Sequence, residues 1–158
     1  MTLLKVLSFG AIAILSGFEG RAQTIRPPVE TIVEDPFAAM EEFARCSARF
    51  EHAAGMARSA GKPAGAEEYM GTSRGARVAA NFFAMYLALE TAGDDTDAYA
   101  TLQSLRLNQV ENFYQLERNT QLAAAERGEF DEAGFRYCFD LQPLQIAIIE
   151  QMRRDGLM

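Results

Sequence analysis

Residues 35–54 read DPFAAMEEFARCSARFEHAA, and this stretch decides the fold. Asp35 is a good N-cap, and Pro36 suits the first helical position because its missing N–H would have no partner there. Apolar residues then recur at steps of three and four, the spacing of one helix face. They are Phe37, Met40, Phe43, Cys46, Phe50 and Ala53. The stretch predicts a helix that ends near Ser59 and buries an aromatic stripe with a cysteine inside it.

The opposite side of this first helix carries the charged residues Arg45 and Arg49 together with His52, the single histidine of the chain. We expect all three side chains to face solvent. A nucleophilic serine, cysteine or threonine usually needs a basic partner, and a zinc site normally needs two or more His or Cys ligands. One surface histidine therefore favours neither kind of site.

Three further helices are predicted along the rest of the chain. Residues 66–91 form the second, and a row of small side chains on it permits a neighbouring helix to approach closely. That row consists of Gly71, Gly75, Ala76, Ala79, Ala80, Ala84 and Ala88. The third follows a turn at residues 93–97 and ends before Gly128, a good C-terminal stop. The fourth covers residues 131–155, where Pro143 either kinks it or begins a new helix.

No sustained alternation of β-branched residues competes with this helical pattern. We therefore predict an all-α fold, an antiparallel bundle of about four helices that forms one domain over residues 35–158. Residues 23–34 contain Pro27-Pro28 and show no helical period. They are predicted to form an extended N-terminal arm.

The two cysteines, Cys46 and Cys138, predict one disulfide between the first and fourth helices. The two cysteines are 92 residues apart. Closing a loop of that length stabilises a fold by about 4 to 5 kcal/mol in the chain-entropy model. A redox-active pair normally has its two sulfurs close in sequence and next to a helix N-terminus, which neither cysteine has. A pair of free thiols or an intermolecular link is the alternative.

The N-terminus has the three-part layout of a secretory signal peptide. Lys5 precedes an uncharged apolar run from Val6 to Leu15, and Gly20-Arg21-Ala22 fits the small-residue cleavage rule. The apolar run is about half the ~20 residues that a bilayer-spanning helix needs. We expect residues 1–22 to be removed after Ala22 and the protein to be periplasmic or secreted, as in Gram-negative bacteria. A buried N-terminal helix is the alternative.

The remaining 136 residues carry 13 basic and 21 acidic side chains, a net charge of −8. Such a surface repels nucleic acid and anionic lipid, so we expect neither a nucleic-acid partner nor stable membrane insertion after cleavage. Composition leaves the oligomeric state open.

One uncharged polar stripe is predicted on the third helix. Asn108, Asn112, Gln115 and Asn119 recur at i, i+4, i+7 and i+11. Such amides can hydrogen-bond a peptide backbone, a sugar or a partner helix, which makes them a candidate binding stripe. An ordinary solvated helix face is the alternative interpretation.

Sequence motifs for metalloproteases, α/β-hydrolases, P-loop enzymes and covalent haem are all absent, and we assign no catalytic residue, metal ligand or cofactor. The leading hypothesis is a non-enzymatic, exported helical module that binds another envelope protein. The alternative is a small-ligand or haem carrier, with His52 and either Met56 or Met152 as haem ligands.

Overall fold

The computed structural model describes the backbone of residues 29–158 and the side chains from residue 32 onward. Within this range the chain forms five α-helices and no strand, which confirms the all-α prediction. The helices are α1 (Pro36–Ser59), α2 (Pro63–Ala92), α3 (Thr96–Glu126), α4 (Glu132–Asp140) and α5 (Gln142–Arg154). The signal peptide predicted for residues 1–22 and the first part of the predicted arm, residues 23–28, lie outside the described residues.

The helix ends follow the local sequence. Asp35 Oδ1 accepts hydrogen bonds of 3.0 Å from the backbone N–H groups of Phe37 and Ala38, which caps α1 as predicted. Asp95 caps α3 in the same way. Gly128, two residues after α3, has a φ of 68°, a left-handed conformation that glycine adopts without steric cost.

The predicted fourth helix is split rather than kinked. Leu141 lies between α4 and α5, and Pro143 is in the first turn of α5. Proline is tolerated at that position because a first-turn N–H has no helical partner. The chain therefore restarts a helix at the point where an uninterrupted one would lose a hydrogen bond.

The predicted extended arm is wrong for residues 29–34, which form a 3-10 helix. Its Ile32 side chain is fully buried and belongs to the hydrophobic core. The tight turn shortens the chain so that Ile32 reaches the core beside α1. Six residues are too few for a periodic signal, so the sequence pattern contains no sign of this turn.

Helix α1 is central and packs against α2, α3 and α4. The three-residue loop between α1 and α2 makes these two helices run antiparallel, and the loop between α2 and α3 has the same effect. The alanines of the predicted small-residue row line the contact with α1, and Ala76, Ala80, Ala84 and Ala88 are fully buried. Gly71 of the same row is exposed, and Gly75 faces α5 instead. Ser73 Oγ donates to the carbonyl of Ser47 at 2.9 Å, which two backbones allow only at close approach.

The predicted disulfide joins α1 to α4. Cys46 and Cys138 have an S–S distance of 2.01 Å and a Cα–Cα distance of 5.4 Å, and both are buried. Beside it, the Phe50 ring contacts Phe135 and Phe139 edge to face, with centroids 5.6 and 5.3 Å away. Aromatic pairs in this geometry add to the stabilisation from burial alone.

Helix α5 lies on α2 at Gly75. A Cβ atom at Gly75 would stand 2.2 Å from Gln145 Nε2 and 3.3 Å from Ile149 Cδ1, so a larger residue fits here only if the Gln145 side chain moves away. Gln145 Nε2 also donates to the carbonyl of Thr72 at 3.4 Å. Over the described residues, no helix has the length and apolar character needed to cross a bilayer.

Candidate functional site

The contact between α1 and α3 is charged, in contrast to the alanine-lined contact between α1 and α2. Arg49 is only 3% exposed, so the expectation that it faces solvent is wrong. Its Nε lies 2.9 Å from Glu117 Oε1 on α3, and its Nη2 lies 3.6 Å from Asp131 Oδ2 at the start of α4. The Arg49 guanidinium can be buried because these two carboxylates compensate its positive charge.

The Glu117 carboxylate contacts two further side chains. Glu117 Oε1 accepts a 2.7 Å hydrogen bond from Gln121 Nε2, and Glu117 Oε2 lies 3.5 Å from Arg45 Nη1. Burial alone would lower the pKa of Arg45, but its hydrogen bond and charge pair with Glu41, together with Glu42, raise the pKa instead. This network of charged and amide side chains fixes α3 against α1.

A second polar contact joins three helices around Tyr114. Its hydroxyl donates to Glu51 Oε2 on α1, and the Arg77 guanidinium of α2 lies 4.1 Å from the centre of its ring. Burial and the bonded carboxylate of Glu51 raise the pKa of Tyr114 to about 12. The phenol therefore stays protonated at any physiological pH and holds the Glu51 carboxylate in place.

Next to this contact, the C-terminal half of α1 and the end of α3 enclose an open groove of about 670 Å³, which we call the α1–α3 groove. Its lining residues are Ala48, Glu51, His52, Gly55, Met56, Ser59, Ala60, Arg118 and Leu122. Met56 and Leu122 are 41% and 47% exposed and present apolar side chains. The lack of a side chain at Gly55 leaves the space open, since a Cβ atom there would meet nothing within 4 Å.

The groove contains one carboxylate and one guanidinium. Glu51 accepts a hydrogen bond from the Tyr114 hydroxyl, whereas Arg118 forms no ion pair with the side chains of residues 32–158. His52, half-buried in the same groove, adds a polar ring. The groove therefore offers an apolar surface with an available guanidinium at its edge.

The groove is not arranged for nucleophilic catalysis. Its one hydroxyl, Ser59, lies two helical turns from His52 on the same helix, roughly 10 Å along the axis. A nucleophile and its base must lie within hydrogen-bond reach. No group of three or more His, Cys, Asp or Glu side chains in the described part of the chain is arranged to hold a metal ion.

The geometry also argues against haem. His52 and Met56 are one turn apart on a single helix, about 6 Å along its axis, so they cannot approach one iron from opposite faces of a haem. Met152 is buried on α5 and does not line the groove.

The candidate amide stripe lies on the outer face of α3. Asn108, Asn112 and Asn119 are exposed, and Gln115 is half-buried and donates to Glu111 Oε1 at 2.7 Å. Leu105, Leu116 and Leu122 are also exposed on this helix. The stripe thus faces solvent rather than the protein's own helices, and its binding role stays a prediction.

Sequence reasoning missed Glu117 and Gln121, which complete the charged contact. A signal for them does exist, since Val110, Tyr114, Glu117 and Gln121 recur at helical spacing and form one buried row. A row that begins with the apolar Val110 and continues with a carboxylate and an amide predicts buried polar partners. The helical spacing does not predict which residues of α1 the Glu117 and Gln121 side chains contact.

In comparisons with known proteins, no family model, no curated protein and no solved structure matches this chain. The features of the molecule that bear on its function are therefore the α1–α3 groove and the outer face of α3.

Proposed function

We propose that this protein is a non-enzymatic interaction module of the bacterial envelope, and that its α1–α3 groove binds a segment of another protein. The observation that carries the proposal is the groove itself, where Met56 and Leu122 expose apolar surface around the space left by Gly55. Exposed apolar surface beside a polar rim is typical of protein interaction sites.

The open form of the groove favours a protein segment over a small molecule. Small-molecule sites usually enclose most of their ligand's surface. Here α1 and α3 bound the space and the lining contains no residue of α2, α4 or α5. A peptide or helix from a partner can place one apolar side chain at Gly55 while the rest of it stays outside.

The positive charge of Arg118 indicates which charge the bound segment should carry. Arg118 has no ion-pair partner among the side chains of residues 32–158 and lines the groove, so a segment with an aspartate or glutamate next to its apolar anchor fits best. Such a pair is partly exposed and serves orientation and encounter rate more than affinity. Binding should therefore weaken as salt concentration rises.

The proposed compartment agrees with the chemistry of the fold. The buried Cys46–Cys138 disulfide suits the oxidising periplasm or the medium, where such bonds persist. Together with the signal peptide proposed for residues 1–22, this supports a partner in the cell envelope.

In-cell photo-crosslinking tests the proposal. A photoreactive residue at Ser59, within the groove, is compared with one at Ala147, which is exposed on α5. We expect a discrete protein adduct from position 59 alone. The adduct should disappear with Gly55→Phe, which fills the groove, and persist with Gly71→Phe, since a Cβ atom at either glycine meets nothing within 4 Å.

The partner identified by mass spectrometry must then bind the purified protein, with an affinity that Gly55→Phe lowers at least tenfold and Gly71→Phe leaves unchanged. Equal adducts from positions 59 and 147 would contradict the proposal. A small-molecule adduct at position 59, lost with Gly55→Phe, would instead favour the carrier alternative.

A further inference from the structure

The outer face of α3 has a symmetry that the groove does not explain. Six residues, spaced three and four apart, run along it: Leu105, Asn108, Asn112, Gln115, Asn119 and Leu122. We call them the α3 seam. Five are exposed and Gln115 is half-buried. This is the heptad spacing of a coiled-coil contact, here on a helix face that none of the protein's own helices covers.

We propose that the α3 seam is the interface of a homodimer in which α3 packs antiparallel against α3 of a second copy. Read from either end, the seam gives leucine, four amides and leucine. A two-fold axis between residues 113 and 114 places Leu105 opposite the partner's Leu122. It likewise places Asn108 opposite the partner's Asn119.

The side chains of the α3 seam are chemically complementary to those of the same seam in a second copy. A two-fold interface uses the same patch on both copies, so each group must suit its symmetric counterpart. Amide side chains do so because each has both donors and acceptors. Shifting the antiparallel register by one heptad in either direction would oppose leucines with amides. The register around residues 113 and 114 alone brings the leucines together at both ends.

Flanking charges select the antiparallel orientation. Glu111 and Arg118 occupy equivalent heptad positions beside the seam. In the antiparallel dimer, Glu111 lies beside the partner's Arg118, and symmetry forms this pair twice. In a parallel dimer with the same seam they would flank Leu116 and Ala123 and gain no charge pair.

The present contacts of these two residues leave room for the pairing. Glu111 Oε2 lies 2.9 Å from Arg77 Nη2, and its side chain is still 50% exposed. Arg118 has no ion-pair partner among the side chains of residues 32–158, and its five N–H donors can serve both the partner's Glu111 and a ligand in the groove. The seam itself contains no charge, so it is where two acidic copies can meet with least repulsion.

Amides within a seam specify register at a cost in stability, so we expect a dissociation constant in the micromolar range or weaker. Sedimentation velocity on the oxidised, signal-free protein measures it. Asn112→Asp places two like charges near the axis and should raise the dissociation constant about tenfold or more. Asn81→Asp, the same change on α2, should leave it within about twofold.

Cysteine cross-linking tests the orientation. Variants Asn108→Cys and Asn119→Cys should each remain uncross-linked alone and form a disulfide when mixed, because these positions face each other only in the antiparallel dimer. Cross-linking of either variant alone would overturn the orientation. A monomer at millimolar concentration, with native circular dichroism, would overturn the dimer. Leu122 belongs to both the seam and the groove lining, whereas Asn112 does not line the groove. Asn112→Asp should therefore weaken dimerisation and leave the photo-crosslinked adduct at position 59 in place, which separates this inference from the groove proposal.

Discussion

Helix α1 has two contacts of opposite character. Against α2 it meets fully buried alanines, with Phe43 and Phe83 stacked at 6.1 Å. Against α3 it meets carboxylates and amides through Arg45 and Arg49. Small apolar side chains let α2 approach closely, whereas long polar side chains hold α3 through a few directed bonds.

This difference teaches where the bundle can accommodate a ligand. Close packing leaves no space to fill along α1–α2, and overpacking there strains both helices. Along α1–α3, the buried polar row ends at Gln121, and the groove lies between the two helices beyond it. The α1–α2 contact thus stabilises the fold, and the α1–α3 contact presents the proposed binding surface.

The largest effect is expected where the charged contact is broken. Glu117→Ala leaves Arg49 buried without its main partner and should reduce the free energy of unfolding by about 3 to 5 kcal/mol. Urea denaturation measures it. Glu132→Ala, which breaks the exposed Arg136–Glu132 pair, is the control and should cost less than about 1 kcal/mol.

The double change Arg49→Leu with Glu117→Leu should regain more than half of the stability lost in Glu117→Ala, because buried ion pairs are often replaceable by apolar pairs. A double variant no more stable than Glu117→Ala would contradict this account.

A smaller effect is expected from overpacking the alanine contact. Ala80 is fully buried between α1 and α2, so Ala80→Leu should cost about 1 to 3 kcal/mol by the same measurement. Ala147→Leu, on the exposed face of α5, is the matched control and should change stability by less than about 0.5 kcal/mol. Equal effects at the two positions would mean that the α1–α2 contact is not tightly packed.

The Tyr114–Glu51 bond should give the α1–α3 contact a pH dependence. Tyr114→Phe should cost about 1 kcal/mol near neutral pH. Since the folded-state pKa is raised to about 12 from an ordinary 10, the contribution of Tyr114 is fully present below the ordinary value and is lost as pH rises towards 12. Urea unfolding at about pH 8 and about pH 11.5 should therefore show the difference between the two proteins shrinking. A difference that grows with pH would contradict the bond.

The smallest effect is expected at the groove. Gly55 is helical and a Cβ atom there meets nothing, so Gly55→Ala should stabilise the protein by about 0.5 to 1 kcal/mol, as should Gly71→Ala. At Gly75 the added atom would meet Gln145, and Gly75→Ala should destabilise instead. Thermal unfolding of the three variants checks this order. Destabilisation by Gly55→Ala would mean that the groove is closed in solution.

Local sequence chemistry predicted much of this fold. The cap at Asp35, the stop at Gly128 and the break at Pro143 each depend on one residue's own backbone requirements, so they could be found without knowledge of the rest of the chain. The disulfide was also predictable, because two cysteines have only one intramolecular pairing. The alanine row on α2 predicted close packing for the same local reason.

The candidate site depends on contacts between distant parts of the chain. Arg49 appeared to face solvent because its compensating carboxylate, Glu117, lies 68 residues further along on α3. The groove depends on which residues of α1 and α3 lie side by side near Gly55, and no helical pattern encodes that pairing. The amide stripe could be predicted as a stripe, but its exposure required the position of α3.

Native mass spectrometry tests the central claim, that this is an exported bundle that binds proteins rather than small molecules. The protein is expressed from its full-length gene and recovered from the periplasm. The account predicts a mass for residues 23–158 less two hydrogens, with no small-molecule adduct and a dimer peak at high concentration. A bound small molecule that is retained in wild-type protein and lost in Gly55→Phe would contradict it.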